Sequence, residues 1–350
     1  MMSTLPLRVL ILGTGALAKL FGYRLAAARA GDAPLAAVTL GGDWAEAVTA
    51  IAAGGIVLEE ADGSVGRATV NALMRDDLEA ALARQDGLGG AFDLVLVLVK
   101  SRQTAAVAPL AAAAVSARGR IVSLQNGLGN RERLQAAAGD PERVLAGVTA
   151  VGATGLGPDR VRVGGGGATQ LGLARGPGFG AAAIARLFTR AGLPCSVSRD
   201  VEAFLWRKLA VNCAINPLSA LAGLPNGALL SDARLRALAV AAAREAADVA
   251  AALDIHLGAD AAELVADVAR RTAANRSSML QDLDRGVPTE IDAICGAVAD
   301  RAAALGLSAP VNAWLLAAVR RLEAGGGRAE VDWAAADALL AGDRAPVTDR

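Results

Sequence analysis

Residues 8–18 read Arg8-Val-Leu-Ile-Leu12-Gly13-Thr14-Gly15-Ala16-Leu17-Ala18, and this stretch decides the fold. The run Arg8–Leu12, which is apolar after Arg8, predicts a buried strand, and a helical stretch to about Ala30 follows the glycines. In the G-x-G-x-x-A pattern, Gly13 permits a tight turn, Gly15 lets the backbone approach a pyrophosphate, and Ala18 keeps the helix close to the sheet. Because a helix N-terminus offers free N–H donors, we expect a dinucleotide to bind at Gly13, Thr14, Gly15, Ala16, Leu17 and Ala18.

The following part of the chain continues this α/β pattern. Asp93–Val99 is the clearest strand, because an apolar run without alternation indicates burial on both faces, as in a parallel sheet under helices. The other predicted strands are Ala36–Leu40, Gly54–Leu58, Ala68–Leu73, Arg120–Leu124, Val144–Val151, Arg160–Val163, Thr169–Leu173 and Cys195–Ser198. Gly164–Gly167 is expected to form a hairpin turn.

The strand pattern stops after Ser198, and the chain to about Leu340 is predicted to be helical. Breaks are expected at Pro217, Gly223–Gly227, Gly258, Gly286–Pro288, Gly306–Pro310 and Gly325–Gly327. The sequence therefore predicts an α/β fold, with a Rossmann-like dinucleotide-binding domain at residues 1–198 and an all-α substrate and catalytic domain at residues 199–350. After Gly325 we expect only a last helix and a loose tail.

Composition excludes several classes of partner. At 350 residues the chain is long enough for two domains, and its 35 basic and 35 acidic residues argue against nucleic acid or an anionic membrane surface. The three cysteines lie far apart, so we expect reduced thiols, no metal site and a cytoplasmic location. No apolar run approaches the length of a transmembrane helix. We expect a monomer or homodimer that acts on a small molecule.

Polar residues follow three of the predicted strands. After the second strand comes Gly41-Gly42-Asp43-Trp44, and an acidic residue here can accept a hydrogen bond from a ribose 2′-hydroxyl and repel a 2′-phosphate. No Lys or Arg lies between Arg29 and Arg67, so the local sequence offers no cation for such a phosphate. The alternative is that Asp43 is a turn residue or a helix N-cap.

Two later strands end in polar segments on the presumed cofactor side. These segments are Lys100-Ser-Arg-Gln103-Thr104 and Gln125-Asn126-Gly127. Because the carboxyl ends of parallel strands face the ligand crevice, we expect both segments to lie near a bound cofactor.

Three polar residues of the helical half share one helix face. Lys208, Asn212 and Asn216 are spaced i, i+4 and i+8 among apolar residues, and Pro217 is expected to loosen or kink the helix after them. Buried polar groups need partners, so other side chains or a ligand must satisfy this row. The alternative is a solvated stripe on a surface helix. A helix at this place would face the crevice between the two domains.

A second segment carries a serine and a glutamate. The stretch Asn275–Asp282 reads as the end of a helix that Gly286 and Pro288 terminate, and Thr289-Glu290-Ile-Asp292 has the spacing of a capping box. Because the chain reverses between them, Ser278 and Glu290 could point into one space. The alternative for Glu290 is a plain first-turn residue that interacts with the helix dipole.

The only histidine, His256, is expected to be a partly buried structural residue. Lysine is the better candidate for a general acid, because burial lowers its pKa towards neutrality.

Several of these motifs resemble the ketopantoate reductase (2-dehydropantoate 2-reductase) family. The resemblance runs from about residue 8 to Pro310-Val-Asn312, and its helical motifs are long and specific. The matching stretches are Gly13-x-Gly15-Ala-Leu-Ala18, Val99-Lys100, Gln125-Asn126-Gly127, Trp206-Arg-Lys208…Asn212…Asn216-Pro-Leu, Asn275-x-Ser-Ser278-Met-Leu-Gln-Asp282 and Thr289-Glu290-Ile-Asp292.

The resemblance implies a reaction and roles for these residues. Ketopantoate and a reduced nicotinamide cofactor would lie between the domains, and Lys208 would protonate the ketone oxygen as hydride arrives. Glu290 would accept a hydrogen bond from the substrate hydroxyl. The substrate's carboxylate and oxygens would be held by Asn212, Asn216 and Ser278.

The resemblance also implies cofactor contacts. Asn126 would position the lysine and the substrate near the nicotinamide, and Lys100 and Gln103 would lie along the cofactor. Where the family typically has an arginine for the 2′-phosphate of NADPH, this chain has two glycines and Asp43. We therefore hypothesise that NADH is used at least as well as NADPH.

Two other functions fit parts of the pattern. One is a paralogous reductase of another small 2-oxo acid, and the other is a non-catalytic dinucleotide-binding sensor. A sensor has no need of Lys208, Ser278 and Glu290 together.

Overall fold

A computed structural model describes residues 5–84, 87–174 and 178–342 of the chain. It contains two compact units. The first unit comprises the residues up to Gln125 together with Gly129–Val201, and the second comprises Asn126–Leu128 and the residues from Glu202 onwards. The end of the expected loose tail, residues 343–350, lies outside the described residues.

The first unit alternates strands and helices. Its helices are α1 (Ala16–Ala27), α2 (Ala45–Gly54), α3 (Arg75–Ala83), α4 (Thr104–Ala114), α5 (Asn130–Ala138) and α6 (Ala181–Arg190), with short 3₁₀ helices at Ser101–Gln103 and Pro141–Arg143. Its strands are β1 (Leu7–Leu12), β2 (Arg29–Ala30), β3 (Ala33–Pro34), β4 (Ala36–Gly42), β5 (Ile56–Glu59), β6 (Val65–Ala68), β7 (Asn71–Met74), β8 (Phe92–Val97), β9 (Val115–Ser123), β10 (Val144–Thr149), β11 (Gly152–Gly155), β12 (Arg160–Gly165), β13 (Thr169–Leu171) and β14 (Cys195–Val197).

The main sheet has the strand order β14-β13-β10-β9-β8-β1-β4-β7. The strands from β10 to β7 are parallel, and β13 pairs antiparallel with β10. Residues 9–12 of β1 and 94–97 of β8 are at most 1% exposed, as expected for central strands covered on both faces. The predicted fold class, a Rossmann-like α/β part followed by a helical part, is confirmed.

Not all of the predicted strands belong to this main sheet. β5 and β12 instead belong to a second sheet of order β11-β12-β5-β6, and the predicted strand Ala68–Leu73 is split between β6 of this sheet and β7 of the main sheet. A strand's sequence shows that it is buried, but not which strand it pairs with.

The glycine run Gly164–Gly167 is also not a hairpin. Gly164 and Gly165 end β12, and the chain then passes to β13 in the other sheet. The antiparallel turn lies earlier, between β11 and β12, where the Leu156 N–H donates to the Arg160 carbonyl at 3.0 Å. A Cβ at Gly167 would lie 2.4 Å from the Ala150 carbonyl oxygen, so glycine permits close backbone approach at this position.

The second unit is helical. Its helices are α7 (Val201–Ala222), α8 (Ala233–Ala251), α9 (Ala261–Arg271), α10 (Ser278–Asp284), α11 (Cys295–Ala304), α12 (Pro310–Glu323) and α13 (Trp333–Gly342), with 3₁₀ helices at Asn226–Leu230, Ile291–Ala293 and Arg328–Glu330. The predicted glycine breaks are present, and positive φ angles occur at Gly223, Gly258, Gly286, Gly306 and Gly325. Within the described ranges, no helix combines the length and apolarity needed to span a bilayer.

The predicted break at Pro217 was wrong, because α7 continues through it to Ala222. A proline at this position removes the N–H that would bond to the Cys213 carbonyl one turn earlier. The Cys295 thiol donates to that carbonyl instead, with an S–O distance of 3.9 Å. The turn after the proline is buried, with Leu218, Ala220 and Leu221 at most 1% exposed, so core packing holds the helix together there.

Glu245 of α8 caps the start of α12. Its carboxylate accepts from the Val311 and Asn312 backbone N–H groups at 2.8 Å each and from Asn312 Nδ2 at 2.7 Å. Asn312 is completely buried, and its amide also donates to the Ala242 carbonyl at 2.9 Å. The carboxylate therefore satisfies both helix-terminal donors and a buried side-chain donor.

We expect Glu245→Ala to lower the free energy of unfolding by about 2–4 kcal/mol, because it leaves the Val311 and Asn312 donors without an acceptor. Urea denaturation followed by circular dichroism measures this change. The matched control is Glu263→Ala, which removes an exposed first-turn glutamate of α9 and is expected to change stability by less than about 0.5 kcal/mol. Equal effects of the two substitutions would contradict the capping role.

Candidate active site

The glycine loop of the first unit joins β1 to α1. Gly13 has φ +130°, and a Cβ there would lie 3.0 Å from the Leu98 carbonyl carbon and oxygen. Gly15 is the N-cap residue of α1, and a Cβ there would meet no atom within 4 Å. Gly13 is thus required by the fold itself, whereas the space at Gly15 is open.

This loop fits a pyrophosphate. No acidic residue lies in the first turn of α1, so its N-terminal N–H groups face no neighbouring carboxylate of that turn. Gly15 is exposed, while Thr14 is 6% exposed and packs against Gly42 at the end of β4. Free helix N–H groups and an exposed glycine are the features that let a phosphate group approach the backbone.

Lys19 directly follows the motif and was missed by the sequence analysis. It is 1% exposed, and its Nζ donates to the Gly157 and Pro158 carbonyls at 2.5 and 3.1 Å. The ammonium also lies 4.8 Å from the ring centroid of Trp44. Burial lowers the pKa of Lys19 to about 8, while Asp159 acts in the opposite direction. The only sequence signal was a lysine on an otherwise apolar helix segment.

Asp43 is paired with a cation that the local sequence did not reveal. Arg75 Nε lies 3.2 Å from Asp43 Oδ1, and Arg75 Nη1 donates to Oδ2 at 3.3 Å. Gln103 Nε2 lies 3.5 Å from the same Oδ2. The local sequence indeed offers no cation, but β4 and β7 pair in parallel with Gly42 opposite Met74 and so bring Arg75 beside Asp43.

A chain of buried polar side chains holds the ends of β8 and β9. Gln125 Nε2 donates to the Val99 carbonyl at 3.0 Å and to Thr104 Oγ1 at 2.8 Å. Thr104 in turn donates to Asn130 Oδ1 at 2.8 Å, and Asn130 Nδ2 donates to Ser101 Oγ at 3.1 Å. These bonds fix the segment that carries the half-buried Lys100 and Gln103.

In the second unit, the predicted polar row lies along α7 and is not a solvated stripe. Lys208 and Asn212 are half-buried, and Asn216 is buried. Burial lowers the pKa of Lys208 to about 8, and the negative charge of Glu290 opposes this shift. An ammonium whose pKa lies near neutrality can hold a proton and release it at physiological pH.

Glu290 is 7% exposed, and it accepts a hydrogen bond from Asn126 Nδ2 at 3.2 Å. The predicted capping box was wrong in detail. The Thr289 hydroxyl accepts from the Ile291 N–H at 3.1 Å and starts a 3₁₀ helix, while Asp292 points away to accept from Arg320 Nε at 2.8 Å. Glu290 therefore precedes the helical turn and faces the interior of the second unit.

Asn126 belongs to the second unit because the segment Asn126–Leu128 packs against the turn after Glu290. The Leu128 N–H donates to the Ala293 carbonyl at 3.0 Å. Gly127 has φ +78°, and a Cβ there would lie 2.3 Å from the Ala293 carbonyl oxygen. Glycine is thus required for this close approach. The structure brings Asn126, Glu290 and Lys208 together, and we call these three residues the Lys208 cluster.

Ser278 lies at the start of a helix and not near the end of one. The stretch Asn275–Asp282 does not end a long helix, because α9 stops at Arg271 and α10 begins at Ser278. Ser278 is exposed at the first helical position, whereas the N-cap Ser277 is 4% exposed and donates to the Asn216 carbonyl at 3.3 Å. Ser277 also accepts from the Leu280 N–H at 3.1 Å, so it ties α10 to α7.

His256 and the three cysteines are not part of the Lys208 cluster or of the glycine loop. His256 is exposed after α8, so the expectation that it is partly buried was wrong. Cys195, Cys213 and Cys295 are free thiols. Among the described residues, no group of three or more His, Cys, Asp or Glu side chains could hold a metal ion.

The fold and these residues define a class of protein with a Rossmann-like unit and an all-helical unit. Comparison with known sequences shows which family of this class is involved. The sequence model described as "Ketopantoate reductase PanE/ApbA" matches residues 9–176, and the one described as "Ketopantoate reductase PanE/ApbA C terminal" matches residues 200–323. The chain belongs to the ketopantoate reductase family.

Individual relatives agree with this assignment. The 2-dehydropantoate 2-reductase of Halobacterium salinarum is 35% identical over 321 residues, which cover 90% of this chain and 98% of the relative. That of Archaeoglobus fulgidus is 39% identical over 67% of this chain and 77% of the relative. The crystal structure of a PanE/ApbA family ketopantoate reductase from Ralstonia eutropha matches with a TM-score of 0.79 and 32% identity, covering 91% of this chain and 99% of that chain.

The two loop glycines predict separable effects. Gly15→Ala should leave the free energy of unfolding within about 1 kcal/mol of wild type, because the position is open, but should weaken dinucleotide binding at least about tenfold by blocking backbone approach. Gly13→Ala should instead destabilise the protein by about 1–3 kcal/mol, because of its φ and the contact with Leu98. Thermal unfolding and nucleotide titration measure the two effects, and unchanged binding in Gly15→Ala would contradict the assignment.

Proposed function

We propose that the protein reduces 2-dehydropantoate (ketopantoate) to pantoate with a nicotinamide cofactor, a step of pantothenate biosynthesis. Family membership supports this reaction. The observation that carries the proposal is the Lys208 cluster, in which a lysine with a pKa of about 8 lies within the field of Glu290. A carbonyl reduction needs one proton at the oxygen as hydride reaches the carbon, and such a lysine can supply it.

In this proposal, the glycine loop Gly13–Ala18 holds the cofactor pyrophosphate, and Lys100, Gln103 and Asp43 lie along the rest of the molecule. The bound cofactor supplies the hydride. The open space at Gly15 and the exposed carboxylate of Asp43 support this assignment. NADH is used at least as well as NADPH, since a carboxylate lies where the family typically has a phosphate-binding arginine.

Lys208 is the proposed general acid. Its Nζ carries a proton below about pH 8 and holds it where negative charge develops on the ketone oxygen. Partial burial makes the ammonium a stronger acid than a lysine in water, because burial disfavours its charged form. Glu290 limits this effect and keeps the group largely protonated at neutral pH.

The other polar residues of the second unit are proposed to hold the substrate. Asn212, Asn216 and Ser278 supply amide and hydroxyl groups for its carboxylate and oxygens. Glu290 accepts from the substrate hydroxyl, and Asn126 orients Glu290 through the 3.2 Å hydrogen bond between them. Ser277 acts indirectly, by fixing the start of α10 next to Asn216.

The test is loss of NADH or NADPH absorbance when purified protein is mixed with 2-dehydropantoate. Wild type should turn over, and Lys208→Ala should lower kcat about 10²- to 10⁴-fold while it still binds cofactor. Lys208→Arg is the matched control for charge, and it should also be slow because a guanidinium does not release its proton. If the wild-type protein reduces other 2-oxo acids but not 2-dehydropantoate, the result favours the paralogous reductase. If it reduces no 2-oxo acid, the result favours the non-catalytic sensor.

The pH dependence of reduction should report the ionisation of Lys208. We expect kcat/KM to fall as pH rises through about 8, because the proton donor is then lost. Glu290→Gln removes the charge that raises the pKa of Lys208, so the fall should move to lower pH. The pH profiles of the two proteins, measured with substrate well below KM, provide the comparison. Superimposable profiles would show that Glu290 does not act on the titrating group.

A further inference from the structure

We infer that Asp43 and Arg75 together recognise the ribose 2′-substituent of the nucleotide, with Asp43 binding the free hydroxyl of NADH and Arg75 binding the 2′-phosphate of NADPH. The inference deepens the proposed function and rests on it, since it concerns the same nucleotide. It makes Arg75, which lies outside the family's usual position for this contact, a determinant of cofactor specificity.

The main sheet places the two side chains together. β4 and β7 pair in parallel with Gly42 opposite Met74. The residues that directly follow these strands, Asp43 and Arg75, therefore lie side by side at the same edge of the sheet. The nucleotide loop lies at this edge as well. The Gly13 N–H donates to the Gly41 carbonyl at 2.7 Å, and Thr14 packs against Gly42. A nucleotide whose pyrophosphate lies on this loop has its adenine-side ribose at the end of β4.

The pair is held loosely enough to exchange partners. Both carboxylate oxygens of Asp43 contact the Arg75 guanidinium, at 3.2 Å from Nε and 3.3 Å from Nη1. The side chains of Asp43 and Arg75 are nevertheless 40% and 35% exposed. A further carboxylate, Asp76, lies 3.9 Å from Arg75 Nε and is 92% exposed. Exposed ion pairs contribute little to stability, so Arg75 can leave Asp43 for a phosphate without a large loss.

The chemistry of each side chain suits one form of the cofactor. A carboxylate accepts hydrogen bonds and therefore matches a hydroxyl, whereas a guanidinium binds phosphate through two parallel N–H groups. Lys19, the cation behind Trp44, is already bound to the Gly157 and Pro158 carbonyls. To bind a 2′-phosphate, Arg75 must break its ion pair with Asp43. The Asp43 carboxylate then repels the phosphate and so weakens the binding of NADPH. This competition explains why NADH should remain at least as good a cofactor.

The test measures the binding of NADH and of NADPH to the purified protein in the absence of any 2-oxo acid, with nucleotide fluorescence as the readout. Arg75→Ala should weaken NADPH binding about 10- to 100-fold and change NADH binding less than about threefold. Asp43→Asn should do the reverse, weakening NADH binding and strengthening NADPH binding about tenfold, because it removes the negative charge that strengthens the hydrogen bond from the ribose hydroxyl and that repels a 2′-phosphate. Arg75→Lys keeps the charge but loses the paired N–H donors, so its affinity for NADPH should lie between those of wild type and Arg75→Ala.

The matched control is Arg162→Ala, which removes another partly exposed arginine–carboxylate pair of the first unit, formed with Glu59 at 2.7 Å on the second sheet. It should change neither affinity. Equal weakening of both nucleotides by Arg75→Ala, or unchanged NADPH binding, would overturn the inference and leave the proposed reductase intact. Failure of wild type to bind either nucleotide would instead overturn the proposed function, and this inference with it.

Discussion

The parallel pairing of β1 with β4 and β8 is the constraint on which the first unit depends. It brings the carboxyl ends of three strands to one edge, where the Gly13 N–H donates to the Gly41 carbonyl and the Leu98 N–H to the Leu12 carbonyl. Because these strands are buried on both faces, a slip in register would disrupt the close packing of their side chains against the covering helices. The glycine loop, Asp43 and the segment after β8 all take their places from this pairing.

The second unit depends on a different balance, which is the partial burial of a charge. Removing an ammonium from water is unfavourable, and Lys208 is retained on α7 with Glu290 as its opposing charge. Asn126 shares that carboxylate, and Gly127 permits the backbone approach that brings Asn126 to it. A residue far from α7 in the sequence thus influences the proton donor through one carboxylate. The same burial that is unfavourable for stability makes the lysine suitable for chemistry.

The sequence predicted what local pattern determines. The strand–glycine–helix start, the polar row of α7 and most glycine breaks could be read directly, because each depends on residues close together in the chain. Arg75 could not be found beside Asp43, since only the pairing of β4 with β7 joins them. Pro217 was misjudged for a similar reason, because the Cys295 thiol and the buried turn after the proline come from the tertiary structure. The second sheet and the role of Ser277 likewise depend on contacts between distant segments.

The alanine content of the second unit has a consequence for how firmly the site is shaped. Ala210 and Ala214 of α7 flank the polar row, and Ala239, Ala242, Ala243 and Ala246 of α8 are equally buried, all at most 1% exposed. An alanine has no side-chain rotamers, so burying it loses no side-chain conformational entropy. The helical core that carries Lys208 therefore has few alternative side-chain arrangements. The shape of this core is set by the paths of the helix backbones. A ligand that binds against it therefore loses little free energy to the ordering of side chains.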